Sequence, residues 1–295
     1  MSKPANARQT TRGRVYTDPQ TGEGVFSVTT IIDAGVPKRA LVYWSANEVA
    51  EFAVANHRIV SAMVEAVRIL RTDDKRIRGV VSDPDAVDGA IKWLKDAPWR
   101  KKERRGSVGT AVHAWVEAHT LGRPLDPAHD PDAEPYVPAW LAFLADFKPE
   151  FLASEMSVWH PSESYAGTLD WIARFMTPGG PRVLMGDTKS GKDIYADVAL
   201  QMNAYARAEY AVLKDGTRAP LPAIDGAVVL HLRDDGTYRL VPVELSDRVF
   251  KAFLYAREVM RWGEDISKGV LGADLLGPDG IAFTWPSPVV VEEAA

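Results

Sequence analysis

Asp187 and Lys189 form an Asp-x-Lys pair at the end of the apolar segment RVLMGDTK. Side chains two residues apart point to the same face of a β-strand, so the carboxylate and the ammonium group are expected side by side. A carboxylate can bind a divalent cation, and a nearby lysine can neutralise negative charge that develops on a phosphate. This pair is therefore the first candidate for chemistry in the chain.

The Asp-x-Lys spacing is weak evidence by itself, because about two such matches are expected by chance in a chain of this composition. Three matches occur, and they are Asp73/Lys75, Asp146/Lys148 and Asp187/Lys189. The first two fall in helical or charged surface segments and are interpreted as solvated faces. Only the third ends an apolar strand.

Asp170 lies in the preceding segment, GTLDW, which we predict to be the neighbouring strand of a meander. Two carboxylates on adjacent strands repel each other unless a divalent cation lies between them. His113 in GTAVHAWVE is a candidate further ligand from a helix that precedes the strands, and Glu155 is a candidate ligand through water. The chain has no cysteine, so a metal would have oxygen and imidazole ligands, which favours Mg²⁺ or Mn²⁺.

The segment LMGDTKSGKD also resembles a phosphate-binding loop of the form G-x-x-x-x-G-K-[ST], beginning at Gly186. Asp193 occupies the position that needs a hydroxyl group, and a carboxylate there would repel nucleotide phosphates. The segment VVLHLRDD, a candidate for the partner strand with a magnesium-binding aspartate, leads into an Asp235-Gly236 turn instead of a helix. The Asp-x-Lys interpretation is therefore preferred, and a nucleotide-binding protein is the alternative from another class.

Two further groups of residues suit contact with phosphates. Gln201 and Tyr205 in QMNAY lie one helical turn apart, on the helix expected after Lys189. The whole chain has a net charge of −5, but residues 58–105 contain 13 Lys/Arg against eight Asp/Glu. The densest basic run, WRKKERRGS, is a candidate nucleic-acid-binding surface. Its candidate contact residues are Arg100, Lys101, Lys102, Arg104, Arg105 and Ser107.

Periodicity and turn signals predict the elements that position these residues. Helices are predicted at Arg39–Ala55, Ile59–Leu70, Asp85–Lys95, SVGTAVHAWVEAHT and Glu134–Lys148. Three strands follow, EMSVWH, AGTLDWIARF and RVLMGDTK, and then an amphipathic helix, IYADVALQMNAYARAEYAVL. The chain continues with a hairpin that turns at Asp235-Gly236 and a helix capped by Ser246. This order predicts a mixed α/β core.

The chain is expected to divide into four parts. These are a flexible tail at 1–24, an N-terminal helical region at 25–105, a core at 106–265 and a C-terminal tail at 266–295. The polar N-terminus lacks a signal-peptide apolar region, and no apolar run approaches the roughly 18 residues of a membrane span. A cytoplasmic protein without a membrane partner is therefore predicted.

Four motifs in this order resemble the RecB-type branch of the PD-(D/E)XK nuclease superfamily, in particular phage and bacterial DNA exonucleases. The matching segments are GTAVH (Gly109 to His113), GTLD (Gly167 to Asp170), DTK (Asp187 to Lys189) and QMNAY (Gln201 to Tyr205). The N-terminal segment SVTTIIDAGVPKRALVYW is also similar to the start of phage members. The four motifs span about residues 106–210, and the lack of cysteine restricts the resemblance to members without an iron–sulfur cluster.

The resemblance implies a restriction-endonuclease-like α/β fold with a helical extension, and a stand-alone Mg²⁺- or Mn²⁺-dependent deoxyribonuclease for recombination, replication or repair. His113, Asp170, Asp187 and the carbonyl of Thr188 would bind metal, Lys189 would act on the attacking water, and Gln201 and Tyr205 would position the phosphodiester. DNA is the implied partner, and a single-strand annealing or single-strand-binding protein is a second candidate. A phage-encoded member would act in the host cytoplasm. A structure-specific or restriction-like endonuclease and a non-catalytic DNA-binding protein are the alternatives.

Overall fold

The computed structural model describes residues 6–63, 84–123, 131–213 and 215–271. The Asp73/Lys75 match, the second half of the helix predicted at Ile59–Leu70 and most of the predicted C-terminal tail lie outside these residues. Within them, no helix has the length and apolar character needed to cross a membrane.

The protein is a mixed α/β structure with a curled mixed sheet. The strands are β1 (Ala7–Thr10), β2 (Gly13–Thr17), β3 (Gly24–Ser27), β4 (Glu150–His160), β5 (Tyr165–Thr177), β6 (Gly180–Lys189), β7 (Tyr210–Val212), β8 (Arg218–Ala219), β9 (Gly226–Leu232) and β10 (Tyr238–Val243). The helices are α1 (Val28–Gly35), α2 (Arg39–Ala55), α3 (Pro84–Lys95), α4 (Ala97–Thr120), α5 (Val137–Phe147), α6 (Val198–Ala206) and α7 (Asp247–Glu264).

Strand β5 pairs with three strands, β3, β4 and β6, along its two edges. Antiparallel β4 follows one edge over most of its length. The other edge is shared, since β3 pairs in parallel at Tyr165 and Ala166 whereas β6 pairs antiparallel from Trp171 to Thr177. Residues 167–170 lie between these two partners and pair with no described strand on that edge. This interruption opens a gap in the sheet.

Helices cover both faces of the sheet. On one face, α4 and α5 contribute Val112 and Phe143 to a buried cluster around Trp171. On the other face, α1, α6 and α7 pack together, and Met202 and Phe253 belong to a second buried cluster. The gap beside residues 167–170 therefore lies between two helical layers, and side chains from both can reach it.

Most of the predicted elements are present. The three-strand meander is β4–β5–β6, and the later hairpin is β9–β10 with Gly236 at φ +80° in its turn. Strand β9 also pairs in parallel with β6, which joins this hairpin to the meander. Helix α7 begins at Ser246, whose hydroxyl accepts a hydrogen bond from the N–H of Val249 as expected for an N-cap.

Three features of the structure differ from the predicted organisation. The flexible tail predicted at 1–24 contains β1 and β2, where Tyr16 is buried and hydrogen-bonded to Thr168 at 2.8 Å. The long helix predicted at 194–213 is limited to α6, because residues 210–212 pair with the open edge of β4 as β7. Helix α4 runs uninterrupted through residues 105–106, the predicted boundary between the helical region and the core.

Candidate metal centre at the gap in the sheet

Asp170 lies on the unpaired stretch of β5, directly before the last pair that joins this strand to β6, Trp171 with Gly186. Its Oδ2 accepts a hydrogen bond from the N–H of Thr188 at 2.7 Å, and it lies 3.3 Å from Nδ1 of His113. The Asp170 carboxylate therefore accepts a hydrogen bond from the Thr188 N–H, which does not pair with the backbone of β5. It also connects the sheet to α4, which carries His113.

Asp187 follows Gly186 on the other side of the gap. Its Oδ1 accepts hydrogen bonds from Nζ of Lys189 at 2.9 Å and from Nε2 of Gln201 at 2.8 Å. The predicted proximity of Asp187 and Lys189 is confirmed, because Nζ also lies 2.7 Å from Oδ2. Gln201 comes from α6, so residues of the two opposite helical layers meet here with residues of two strands.

Glu155 on β4 is a third carboxylate at the gap. The register on either side, Ser154 with Trp171 and Met156 with Leu169, puts it opposite Asp170. Its φ of +50° is the left-handed conformation, which costs a residue with a Cβ atom about 1–2 kcal/mol. Such strain concentrates at functional sites. Only its acidic character suggested a role from sequence, because local spacing does not reveal this backbone conformation.

The donor atoms at the gap fit a hard divalent cation. Ligand atoms of His113, Glu155 and Asp170 all lie within 4.8 Å of one another. Oδ2 of Asp187 is buried and makes no hydrogen bond with any described residue, although it contacts the Lys189 ammonium group. Carboxylate oxygens with one imidazole are suitable ligands for Mg²⁺ or Mn²⁺.

The Thr188 carbonyl is the remaining predicted ligand. The N–H and C=O groups of one strand residue point to the same edge of the strand. Since the N–H of Thr188 is directed to Asp170, its carbonyl also faces the gap. The Thr188 side chain points away from the gap and accepts a hydrogen bond from Nε1 of Trp171 at 3.0 Å. The position of this carbonyl agrees with the predicted role.

The electrostatics of the centre favour an added cation. Burial raises the pKa of Asp170, His113 opposes this rise, and the Asp187 carboxylate adds to it. For Lys189, burial acts to lower the pKa, but the Asp187 and Asp170 carboxylates outweigh it and hold the pKa above its ordinary value. The lysine therefore stays charged, and it is one cation beside three carboxylates.

Two glycines allow this arrangement. A Cβ atom at Gly186 would lie 2.0 Å from the Trp171 ring, and one at Gly167 would lie 2.3 Å from the Tyr205 ring. Trp171 can therefore lie across β6, and Tyr205 can pack against β5 within the gap. Gly167 and Tyr205, which belong to two of the four motifs, are in direct contact.

Tyr205 itself is buried, with only 4% of its surface exposed. Burial raises the pKa of its phenol well above the ordinary value, with smaller contributions in the same direction from Tyr16 and Asp187, while a hydrogen bond with Gln201 opposes the rise. The predicted contact of Tyr205 with a phosphate stays a prediction, and the ring itself packs inside the gap. Its position suits a residue that orients Gln201.

The residues of the basic run differ in their contacts along α4. Nη2 of Arg100 donates to the carbonyl of Trp93 at 3.0 Å and its guanidinium stacks on Phe52, while Lys101 pairs with Glu48. Both residues contact the N-terminal helices, and their role in DNA binding stays a prediction. The residues Lys102, Arg104, Arg105 and Ser107 are exposed on α4.

A cleft of about 590 Å³ opens from the metal centre. His113 and Lys189 line the cleft. Arg105, about two helical turns before His113 on α4, lines its wall. Lys192 and Arg233 also line the cleft. No motif in the sequence marks Arg233, and Lys192 stands out only through the spacing that resembles a phosphate-binding loop.

Comparisons with known proteins provide no independent assignment. No protein-family model matches the chain, and no curated protein matches it. Membership of the nuclease superfamily therefore stays a prediction from the four motifs.

Proposed function

We propose that this protein is a metal-dependent nuclease that hydrolyses phosphodiester bonds in DNA, on a restriction-endonuclease-like core of the PD-(D/E)XK type. The cofactor is Mg²⁺ or Mn²⁺, and the most favoured activity is that of an exonuclease acting from DNA ends. The observation that carries the proposal is the meeting of Asp170, Asp187 and Lys189 at one gap between β5 and β6.

Each residue has a distinct task in this proposal. Asp170, Asp187, Glu155 and His113 would hold the cation, directly or through water. When bound, the cation would lower the pKa of a water molecule and stabilise charge on the scissile phosphate. Lys189 would orient the attacking water and neutralise the phosphate oxygens as negative charge builds on them. Gln201 holds Asp187 through the hydrogen bond at Oδ1.

The alternative of a nucleotide-binding loop has less support. Such a loop leads from a strand directly into a helix whose N–H groups hold the phosphates. Here β6 ends at Lys189 and α6 begins only at Val198, so Lys192 lies in an exposed loop. A structure-specific endonuclease is the stronger alternative, because it would use the same metal centre.

Incubation with Mg²⁺ and end-labelled linear, nicked and closed-circular DNA tests the proposal and separates its variants. An exonuclease degrades the linear DNA and leaves closed circles intact, whereas an endonuclease also cuts the circles. The position of the released label gives the polarity. Absence of any cleavage with either Mg²⁺ or Mn²⁺ would contradict the proposed function.

The two Asp-x-Lys matches among the described residues allow a test with a matched control, in which one residue of each match is substituted. Lys189→Ala should abolish cleavage, and EDTA should have the same effect on the unaltered protein. Asp146→Asn changes the other described match, where Asp146 accepts a hydrogen bond from Tyr238 on the surface, and it should leave cleavage unchanged. Full cleavage by Lys189→Ala would exclude the assigned centre.

A further inference from the structure

The cleft next to the candidate metal centre has more cationic than anionic side chains in its lining. Arg105, Lys192 and Arg233 are exposed along its walls, and none of them forms an ion pair with another described residue. Asp234 and Asp235 also line the cleft, and Asp235 accepts hydrogen bonds from the N–H and hydroxyl of Thr237 at 2.9 and 2.6 Å. With Lys189 included, four cationic side chains face these two carboxylates.

The loop that carries Lys192 is fixed by a buried histidine. Nε2 of His231 lies 2.7 Å from the carbonyl oxygen of Gly191, and because a carbonyl only accepts, this nitrogen must donate. His231 is 1% exposed and lies in register with Lys189 on the neighbouring strand. The loop therefore keeps a set position relative to Lys189, and Lys192 follows Gly191 at the cleft wall.

One aromatic side chain faces the same space. Tyr136, at the start of α5, lines the cleft and packs partly against the buried cluster around Trp171. Burial raises the pKa of its phenol, and Asp234 and Asp132 add to this effect, so the ring stays neutral. A neutral aromatic ring beside unpaired cations is the arrangement that binds single strands, with bases stacking on the ring and phosphates on the cations.

The size of the cleft limits what it can enclose. A volume of about 590 Å³ falls in the range of pockets that take one small ligand, which corresponds to a short stretch of a single strand. A duplex is wider than its own major groove, which is about 12 Å across, and it is therefore too wide for a cleft of this volume to enclose. We propose that this cleft binds a single DNA strand that leads to the metal centre, with Arg105, Lys192 and Arg233 on its phosphates and Tyr136 on a base. This inference rests on the proposed nuclease function.

The charge contribution can be measured by fluorescence anisotropy with a labelled single strand of about 12 nucleotides, with Ca²⁺ in place of Mg²⁺ to limit cleavage. The double variant Lys192→Ala/Arg233→Ala should raise Kd about ten-fold at 0.15 M salt. The slope of log Kd against log salt should fall by about 1.4, since each single-strand phosphate contact contributes about 0.7. Lys251→Ala, an exposed lysine on α7, is the matched control and should bind normally. Binding by the double variant within two-fold of the unaltered protein would overturn the inference.

The choice of a single strand depends on Tyr136. Tyr136→Leu keeps an apolar side chain but removes the aromatic face, and it should weaken single-strand binding about ten-fold, whereas Tyr136→Phe should bind normally. A blunt duplex of the same length should bind less tightly and should not respond to Tyr136→Leu. Equal affinity for the duplex, with equal loss in the Lys192/Arg233 variant, would show that the cleft does not select a single strand.

Cleavage in Mg²⁺ separates this inference from the proposed function. If the unaltered protein binds single strands as described but never cleaves DNA, the nuclease proposal fails and the binding cleft stands. If the protein cleaves DNA and the double variant cleaves single strands with unchanged kcat and KM, the cleft inference fails and the nuclease proposal stands.

Discussion

Two buried aspartate sites in this protein differ in how fully their oxygens are satisfied. Asp18, in the turn after β2, accepts four hydrogen bonds, from the N–H groups of Gln20 and Thr21, the hydroxyl of Tyr210 and the guanidinium of Arg218. At the gap in the sheet, Oδ2 of Asp187 lies 2.7 Å from the Lys189 ammonium group but makes no hydrogen bond with any described residue.

The pKa shifts at the two sites have opposite directions. Burial acts to raise the pKa of Asp18, but hydrogen bonds led by Tyr210 outweigh it and hold the pKa below its ordinary value. At Asp170 burial prevails and the pKa is raised. A carboxylate that the protein satisfies completely stabilises the fold, whereas carboxylates left incompletely satisfied are suited to binding a ligand.

The largest expected effect is on cleavage by variants of the metal centre. Asp170→Asn or Asp187→Asn should lower the rate of DNA cleavage at least about 1,000-fold, because the cation supplies several kcal/mol of transition-state stabilisation. Single-turnover cleavage with Mg²⁺ measures this loss. Asp18→Asn should keep normal cleavage when corrected for the folded fraction, and a comparable loss in that variant would remove the distinction between the two sites.

Stability should show the reverse pattern. Asp18→Ala should lower the free energy of unfolding by about 3 kcal/mol, because Arg218 and Tyr210 lose a buried partner. Urea denaturation followed by tryptophan fluorescence provides the measurement. Asp170→Asn removes a buried charge beside Asp187, so in the absence of metal it should be at least as stable as the unaltered protein. Marked destabilisation by Asp170→Asn under these conditions would contradict this comparison.

Metal binding should stabilise the protein through only one of the two aspartate sites. Mn²⁺ at 100 times its Kd should raise the free energy of unfolding by about 2.7 kcal/mol, which appears as a higher midpoint of thermal unfolding. Asp18→Asn should retain the increase and Asp170→Asn should lose most of it. An equal increase in both variants would mean that the cation binds elsewhere.

A smaller effect is expected from a methyl group in the gap. Gly167→Ala brings a Cβ atom against the Tyr205 ring and should cost about 1–3 kcal/mol of stability, with slower cleavage as Gln201 shifts. Gly226→Ala is the matched control, since the added Cβ would meet only the Leu184 side chain at 3.4 Å. Similar unfolding midpoints for the two variants would show that the gap is not tightly packed.

The smallest effect concerns acid pH. Since the folded pKa of Asp18 lies below its ordinary value of 3.8, the unfolded chain binds the proton more readily. The stabilisation by Asp18 is therefore complete above that value and is lost as pH falls through the lower folded pKa. The difference in stability between the unaltered protein and Asp18→Ala should shrink below about pH 4. If the difference in stability between the two proteins stayed constant down to pH 2, the Asp18 carboxylate would not contribute through its ionised form.

Local pattern was enough to select most residues of the candidate metal centre from the sequence. The alternation in β6 located Asp187 and Lys189 on one face, and the meander made Asp170 a neighbour of Asp187. These predictions succeeded because side-chain direction in a strand depends on local periodicity. The interpretation of Asp146/Lys148 as a surface match is also confirmed, since Asp146 lies in α5 and Lys148 ends it.

Long-range contacts could not be predicted in the same way. The pairing of β3 with β5, which bounds the gap, joins segments about 140 residues apart, and no local signal announces it. The buried environment of Tyr205 depends on that same gap. The basic run was treated as one surface because charge density does not reveal that Arg100 and Lys101 have partners in the N-terminal helices.

The parallel pairing of β6 with β9 has a consequence for how the proposed activity would arise during synthesis. Asp187 and Lys189 are paired with Val229 and His231, which the ribosome adds later. Contacts between distant segments form late in folding, and a chain is synthesised at about 5–20 residues per second. For several seconds the nascent protein would therefore contain every predicted metal ligand without the strand that holds them in place. Catalytic competence should appear only when β9 joins the sheet.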